Sequence, residues 1–335
     1  MQSVILLGAG ASRGTLGECA PISKEFCKQV TAIPKWTEEY PYLAAAIQFL
    51  SQRITDCSLE SWALDKLWGA MATRDRLKQI LVDSPSVPQP PPYWDFWGVA
   101  SFELSCLVAR LYGESLEPEI QKSTKQSGHV KVEIQKLKAG DCIISFNYDL
   151  LAERILDDLK KEWIRAIPWK NPDMQPASVL LCKPHGSLDW KGYFPEYGHP
   201  IEFLGGSMKE REITPQCHPC LIAPIPFKSE IIDGALQTNL APNLFRLLVA
   251  QWRFAIEYIS KADKLVVMGY GFPSEDLHAH YFFAEAAAKR GKKALQVEVF
   301  ETCMQRFCEV KVEIAKIFGP SGCEISFYYK GQVES

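Results

Sequence analysis

The sequence predicts an α/β protein: a Rossmann-like parallel sheet with helices on both faces, a helical insertion and a small irregular lobe. Three observations carry this. Short apolar runs recur along the chain, among them Val4–Leu7, Cys142–Phe146 and Leu265–Met268, the pattern of strands buried on both faces. Stretches with helical spacing lie between them, and strands alternating with helices imply a parallel sheet. Glycine, asparagine, aspartate and histidine stand just past the runs, at the strand ends where such sheets bind ligands.

The first strand, Val4–Leu7, enters Gly8-Ala9-Gly10-Ala11-Ser12. A glycine-rich turn between strand and helix lets backbone N–H groups face a phosphate without a side chain in the way, and the Ser12 hydroxyl adds a donor. The dinucleotide fingerprint G-x-G-x-x-G is not met: Arg13 stands where the third glycine belongs, and Gly14 comes one place late. The acidic ribose ligand of that fingerprint, about 20 residues on, has no clear counterpart, since Glu38 and Glu39 do not end a strand. The turn therefore has two readings, a phosphate cradle or a tight strand-to-helix connection with no ligand.

Pro21–Phe26 reads as a helix start with Ser23 as N-cap. From Ile33 to about Tyr112 the chain is helical, with Leu43, Ile47, Leu50 and Ile54 at helical spacing and again Leu104, Leu107, Val108 and Leu111. Trp36, Trp62, Trp68, Trp94 and Trp97 belong to this region and are read as core, and Pro85–Pro92 as an extended connector. Residues 33–129 are thus a helical insertion. Ser115–Gly128 is polar and reads as a loop, Val130–Leu137 as a helix in preference to a strand, and Gly140-Asp141 as a turn.

The second strand, Cys142–Phe146, stops at Asn147-Tyr148-Asp149 and is followed by an amphipathic helix over Leu150–Lys161. Val179–Cys182 is the third strand and runs into Lys183-Pro184-His185-Gly186. Tyr193–Pro226 is rich in proline, glycine and histidine without a period, so residues 193–240 read as an irregular lobe or lid. A helix face through Leu244, Leu248, Trp252, Ala255, Ile256 and Ile259 leads to the fourth strand, Leu265–Met268, which ends at Gly269-Tyr270-Gly271. A helix runs from Leu277 to Gly291, then come the fifth strand Leu295–Phe300, a helix over Thr302–Phe318 and a last strand, Glu324–Tyr329. The core domain is assigned to residues 1–32, 130–192 and 241–335.

The 335 residues suffice for one large domain or two small ones, and 47% hydrophobic with 23% charged residues is ordinary for a globular chain with a sizeable core. A net charge of -3 gives no global pull toward nucleic acid or anionic lipid, so no direct nucleic-acid binding is expected. No stretch has the length and apolarity of a membrane span, and Val4–Leu7 is too short for a signal peptide; the expected location is cytoplasmic. The 11 cysteines, scattered and odd in number, fit reduced, buried thiols better than a disulfide framework.

Taken singly, the polar residues at the strand ends have plain structural readings: Asn147 tolerates unusual backbone angles, Asp149 can cap the next helix, and His185 can bond to backbone in a turn. Taken together at one sheet edge, they form a polar cluster over a phosphate-binding turn. The joint pattern resembles the sirtuin-like family in four blocks: Gly8–Ser12, Asn147-Tyr148-Asp149, Lys183–Ser187 and Val266–Phe272. It resembles most closely the bacterial antiviral-defence branch, which has asparagine-tyrosine-aspartate at the second block and a helical insertion in place of a zinc module.

The resemblance implies an NAD⁺ hydrolase that releases nicotinamide and ADP-ribose and depletes the pool in anti-phage defence. It implies catalytic roles for Asn147, which would position water or the ribose hydroxyls, and for His185, the general base acting directly or through a ribose hydroxyl. It implies that Gly8, Ala9, Gly10 and Ser12 take the pyrophosphate, that Asp149 meets the nicotinamide amide, and that Gly269 and Gly271 form a ribose-binding turn. Glu301 is assigned to the adenosine ribose from its position at a strand end alone. No metal is expected: Cys217-x-x-Cys220 has no second pair downstream, whereas a structural zinc site needs four ligands. The resemblance further implies a homo-oligomer with a partner such as a translocase-type ATPase or an Argonaute-like protein. Two other readings stay open, an NAD-dependent protein deacylase or ADP-ribosyltransferase, and a sensor that binds NAD⁺ or ADP-ribose without cleaving it.

Overall fold

A computed structural model describes residues 1–17, 20, 25–53, 63–76, 96–125, 128–167, 177–193, 201–214, 217–221, 242–273 and 276–331. In chain order its strands are β1 (Ser3–Leu7), β2 (Cys142–Ser145), β3 (Trp163–Arg165), β4 (Val179–Cys182), β5 (Gly186–Tyr193), β6 (Glu202–Phe203), β7 (Cys217–Leu221), β8 (Lys264–Met268), β9 (Leu295–Glu301) and β10 (Ile325–Gly331). Its α-helices are α1 (Ala9–Leu16), α2 (Phe26–Thr31), α3 (Trp36–Glu39), α4 (Pro41–Arg53), α5 (Leu64–Arg76), α6 (Phe96–Val108), α7 (Glu117–Ser123), α8 (His129–Lys136), α9 (Leu151–Asp158), α10 (Pro242–Lys261), α11 (Leu277–Arg290) and α12 (Met304–Phe318).

Seven strands form one sheet in the order β10-β9-β8-β1-β2-β4-β3. Every pairing in it is parallel, and the register aligns Val4 with Cys142 on one side and with Leu265 on the other. Alternate residues of the apolar runs face opposite layers, as a two-residue repeat requires. Val4, Leu6, Ile144, Leu265 and Val267 pack against α10, α11 and α12. Ile5, Leu7, Ile143, Leu181 and Val266 pack against α1, α8 and α9. The fold is the expected α/β Rossmann-like one.

The insertion has a core of its own, in which Leu43, Ile47 and Leu50 of α4 meet Leu104, Leu107 and Val108 of α6. Trp36 and Trp97 are buried in it and Trp68 is partly buried against it. Trp62, Trp94, Ile54, the Ser23 cap and the Pro85–Pro92 connector lie outside the described residues, as does much of the 193–240 lobe.

The structure departs from the sequence reading in three places. The polar stretch after Ser115 contains helix α7, started by a proline in its first turn and anchored by buried Ile120. An unforeseen strand, β3, closes one edge of the sheet. The segment after His185, with the described parts of the irregular lobe, makes a second sheet of three antiparallel strands in the order β6-β5-β7.

Candidate functional site

β1 lies at the point where the sheet reverses its build. From it the chain adds β2, β4 and β3 on one side and then β8, β9 and β10 on the other. In open parallel sheets the ligand crevice forms at that reversal, outside the carboxyl ends of the strands. Here the loops leaving β1 and β8 touch backbone to backbone: the Gly8 N–H donates to Met268 O at 3.1 Å and the Gly10 N–H to Gly269 O at 3.0 Å. A Cβ on Gly269 would sit 2.1 Å from Ala11 N, and one on Gly8 would sit 2.5 Å from Gly269 O. Gly269 also has φ +62, the left-handed region that favours glycine.

These contacts give two residues of the turn a structural role. The Gly8 and Gly10 amides are committed to the β8 loop, so these glycines serve the close approach of two turns. Ala9 differs: it is exposed at the first residue of α1 and lines the cleft, and the opening N–H groups of a helix lack intrahelical partners and suit an anion.

Asn147, Ser12 and Asp149 form one directional network. The Asn147 Nδ2 group donates to Gly8 O at 2.9 Å and to Ser12 Oγ at 3.0 Å. Ser12 in turn donates to Asp149 Oδ2 at 2.7 Å. Asp149 Oδ1 accepts the Leu151 N–H at 3.0 Å, the helix-start bond that its plain structural reading foresaw. Both amide hydrogens of Asn147 are thus used, which leaves its Oδ1 as the atom for a ligand and makes it an acceptor. Asp149 keeps spare acceptor capacity, since a carboxylate offers about four lone-pair sites.

His185 follows β4, and α10 clamps the approach to it. Gln251 Oε1 accepts the Lys183 N–H at 2.8 Å, and the Trp252 indole donates to Pro184 O at 2.9 Å. Gly186 is required next: its φ is +83 and a Cβ there would lie 1.9 Å from Cys220 O. The imidazole stands edge-on to Phe146 at a centroid distance of 4.9 Å. Its Nε2 lies 2.9 Å from Asp276 Oδ2. The Lys183 ammonium, beneath the same loop, bonds to Asp149 O at 2.5 Å.

These groups share one cleft of about 1010 Å³, the size class of small-molecule and cofactor sites. Of the expected residues Gly8, Ala9, Ser12, Asn147, Asp149, His185, Gly269 and Gly271 line it. Gly10 packs behind Gly269, where a Cβ would come within 2.8 Å of its Cα. Glu301, like Gly10, is not among the residues that line the cleft. It ends β9 as foreseen but is buried outside the cleft lining, and burial raises its carboxyl pKa against the pull of Arg306.

Sequence reasoning missed four contributors. Asp276 lines the cleft as the N-cap of α11, where its Oδ1 accepts Ala279 N–H at 3.3 Å; an aspartate before a helical run was the available signal. Tyr270 stacks on Phe146 at 4.4 Å, and its buried hydroxyl has no hydrogen-bond partner among the described residues. Desolvation holds that phenol well above its ordinary pKa. Leu64 and Tyr112 bring the insertion into the cleft wall. Tyr112 sits in a π-helical stretch, Ala109–Glu114, a local widening often found at functional sites; no sequence signal marks it.

Cys217 and Cys220 face different cores, one with the insertion and one with the small sheet. Burial pushes the Cys220 thiol up to about 12. Among the described residues no group of three or more His, Cys, Asp or Glu could hold a metal ion, and no helix is long and apolar enough to cross a membrane. No family model matches the chain, and no curated protein matches it.

Proposed function

We propose that the protein hydrolyses NAD⁺ at the bond between nicotinamide and ribose. The observation that carries this reading is a convergence. Asn147 and Asp149 after β2, His185 after β4 and the turns after β1 and β8 line one cleft of dinucleotide size at the reversal point of a parallel sheet. Together with the four sequence blocks that resemble the sirtuin-like family, this favours cleavage of a dinucleotide over unspecific small-molecule binding.

The chemistry asks little of the protein. The bond broken joins C1′ to a cationic pyridinium nitrogen, so its electron pair neutralises the leaving group and no general acid is needed. Positive charge gathers on the ribose, as in other glycosyl cleavage. Water forms the new bond to C1′ and gives its proton to His185, whose residue type is suited to proton transfer near neutrality. Asn147 accepts from the water or a ribose hydroxyl through Oδ1. Asp149 takes the nicotinamide amide on its spare lone pairs, and the start of α1 at Ala9 receives the pyrophosphate.

By the same resemblance, the reaction would drain NAD⁺ in bacterial anti-phage defence, in a cytoplasmic homo-oligomer switched on by a partner protein such as a translocase-type ATPase or an Argonaute-like protein. Incubating purified protein with NAD⁺ and quantifying nicotinamide tests the chemistry. Release of free nicotinamide with ADP-ribose supports it. A thermal shift with NAD⁺ but no nicotinamide would replace hydrolysis by sensing. Nicotinamide release only with an acylated peptide would replace it by deacylation.

A further inference from the structure

We infer that Asp276 is a positioning residue for His185: it holds the imidazole by Nε2 and fixes which ring nitrogen takes the proton. The inference rests on the reading of His185 as the base. It starts from a carboxylate with no exposed surface, and a buried carboxylate requires hydrogen-bond donors. Oδ1 has the Ala279 N–H of α11, and Oδ2 lies 2.9 Å from His185 Nε2, an ion-pair contact at hydrogen-bond distance that is not aligned as a hydrogen bond. The residue is fixed from both sides, with its own N–H on Pro273 O at 3.0 Å and its carbonyl accepting His280 N–H at 3.2 Å. Asp276 therefore cannot follow the ring; the ring must follow Asp276.

An ionised carboxylate only accepts, so the Nε2 facing it carries the hydrogen. In the neutral ring the nitrogen without a hydrogen is then Nδ1, and that atom takes the proton of the attacking water. The water oxygen bonds to C1′ while the C1′–N pair leaves with nicotinamide. The imidazolium formed is stabilised by the carboxylate already beside it, the division of labour of other His–carboxylate pairs. Phe146, edge-on to the ring at 4.9 Å, leaves the imidazole little room to turn away.

Asp276→Asn separates this role from helix capping. Asparagine is as good an N-cap as aspartate and has the same shape, but its NH₂ faces Nε2 with a donor. We expect an unchanged melting temperature, a KM for NAD⁺ within about threefold of wild type and a kcat lowered about 10²-fold or more. In protein labelled with ¹⁵N-histidine, ring-nitrogen shifts report the tautomer directly. With 6 histidines in the chain, His185→Ala assigns the signal. We expect the Nε2–H form in the wild type and a shifted tautomer balance in Asp276→Asn. The Nδ1–H form in the wild type, or Asp276→Asn with unaltered ring shifts and full kcat, would overturn the inference. Should Asp276→Asn not fold, the wild-type tautomer alone decides. Should the wild type release no nicotinamide, the functional reading fails, and the ring shifts still decide whether Asp276 sets the imidazole.

Discussion

Lys183 Nζ lies 3.2 Å from Glu153 Oε1, with side chains only 1% and 4% exposed. The same ammonium reaches Asp149 O, so this buried pair underpins the loop that carries Asn147 and Asp149. Burial holds the Glu153 carboxyl above the usual carboxylate range, against the pull of Lys183. Such a pair adds little net stability but is costly to break, because the remaining charge stays buried. Lys183→Met should cost about 3–5 kcal/mol in urea unfolding. Adding Glu153→Leu should cost less than the sum of the single changes, with a coupling of about 0.5–3 kcal/mol. Additive losses would show that the two side chains do not depend on each other.

The contact between the β1 and β8 turns gives a second prediction. Gly269→Ala places a Cβ 2.1 Å from Ala11 N at φ +62, a clash between two backbones with no flexible side chain to yield. The loss should exceed about 3 kcal/mol, above the common range for point changes. Gly319 has open space around its Cα and φ -58, so Gly319→Ala should be neutral or add about 0.4–1 kcal/mol. Thermal melts of the two variants check the contrast; equal melting temperatures would contradict it.

Glu103 of α6 caps α4 from outside, accepting the Leu43 N–H at 2.6 Å. Burial raises its pKa from 4.5 to about 7, opposed by hydrogen bonds from Leu43 and Tyr42. A raised folded-state value means that the folded form binds more protons, so this group's contribution is fully present below pH 4.5 and is lost as pH rises through about 7. Glu103→Gln keeps an acceptor and removes the titration. Stability measured from pH 4.5 to 7.5 should fall less steeply in the variant than in the wild type. Parallel curves would exclude Glu103 as the source.

The strands nearest the centre were legible because burial on both faces writes an unbroken apolar run, as in Val4–Leu7 and Cys142–Ser145. β3 was not, since Trp163–Arg165 is short and half-buried at an edge. Asn147, Asp149 and His185 could be found because strand ends in a parallel sheet converge whatever the helices between them do. The same rule put Glu301 at the end of β9, where it stands buried and outside the cleft lining; a strand end fixes a residue's place but not its surroundings. Asp276 and Tyr112 reach the cleft only through tertiary packing, which no local pattern encodes. The glycines were legible as a turn, while their purpose became visible only with the second turn seated against them.

Nicotinamide release from NAD⁺ by the wild type, Asn147→Ala and His185→Ala, each checked for an unaltered melting temperature, tests the proposed function of the cleft most directly. Wild-type protein should yield nicotinamide and ADP-ribose in equal amounts. Each variant should lose about 10²-fold or more of that rate, the usual weight of a positioned base or its oriented nucleophile. Folded variants that release nicotinamide as fast as the wild type would contradict the assignment of the cleft.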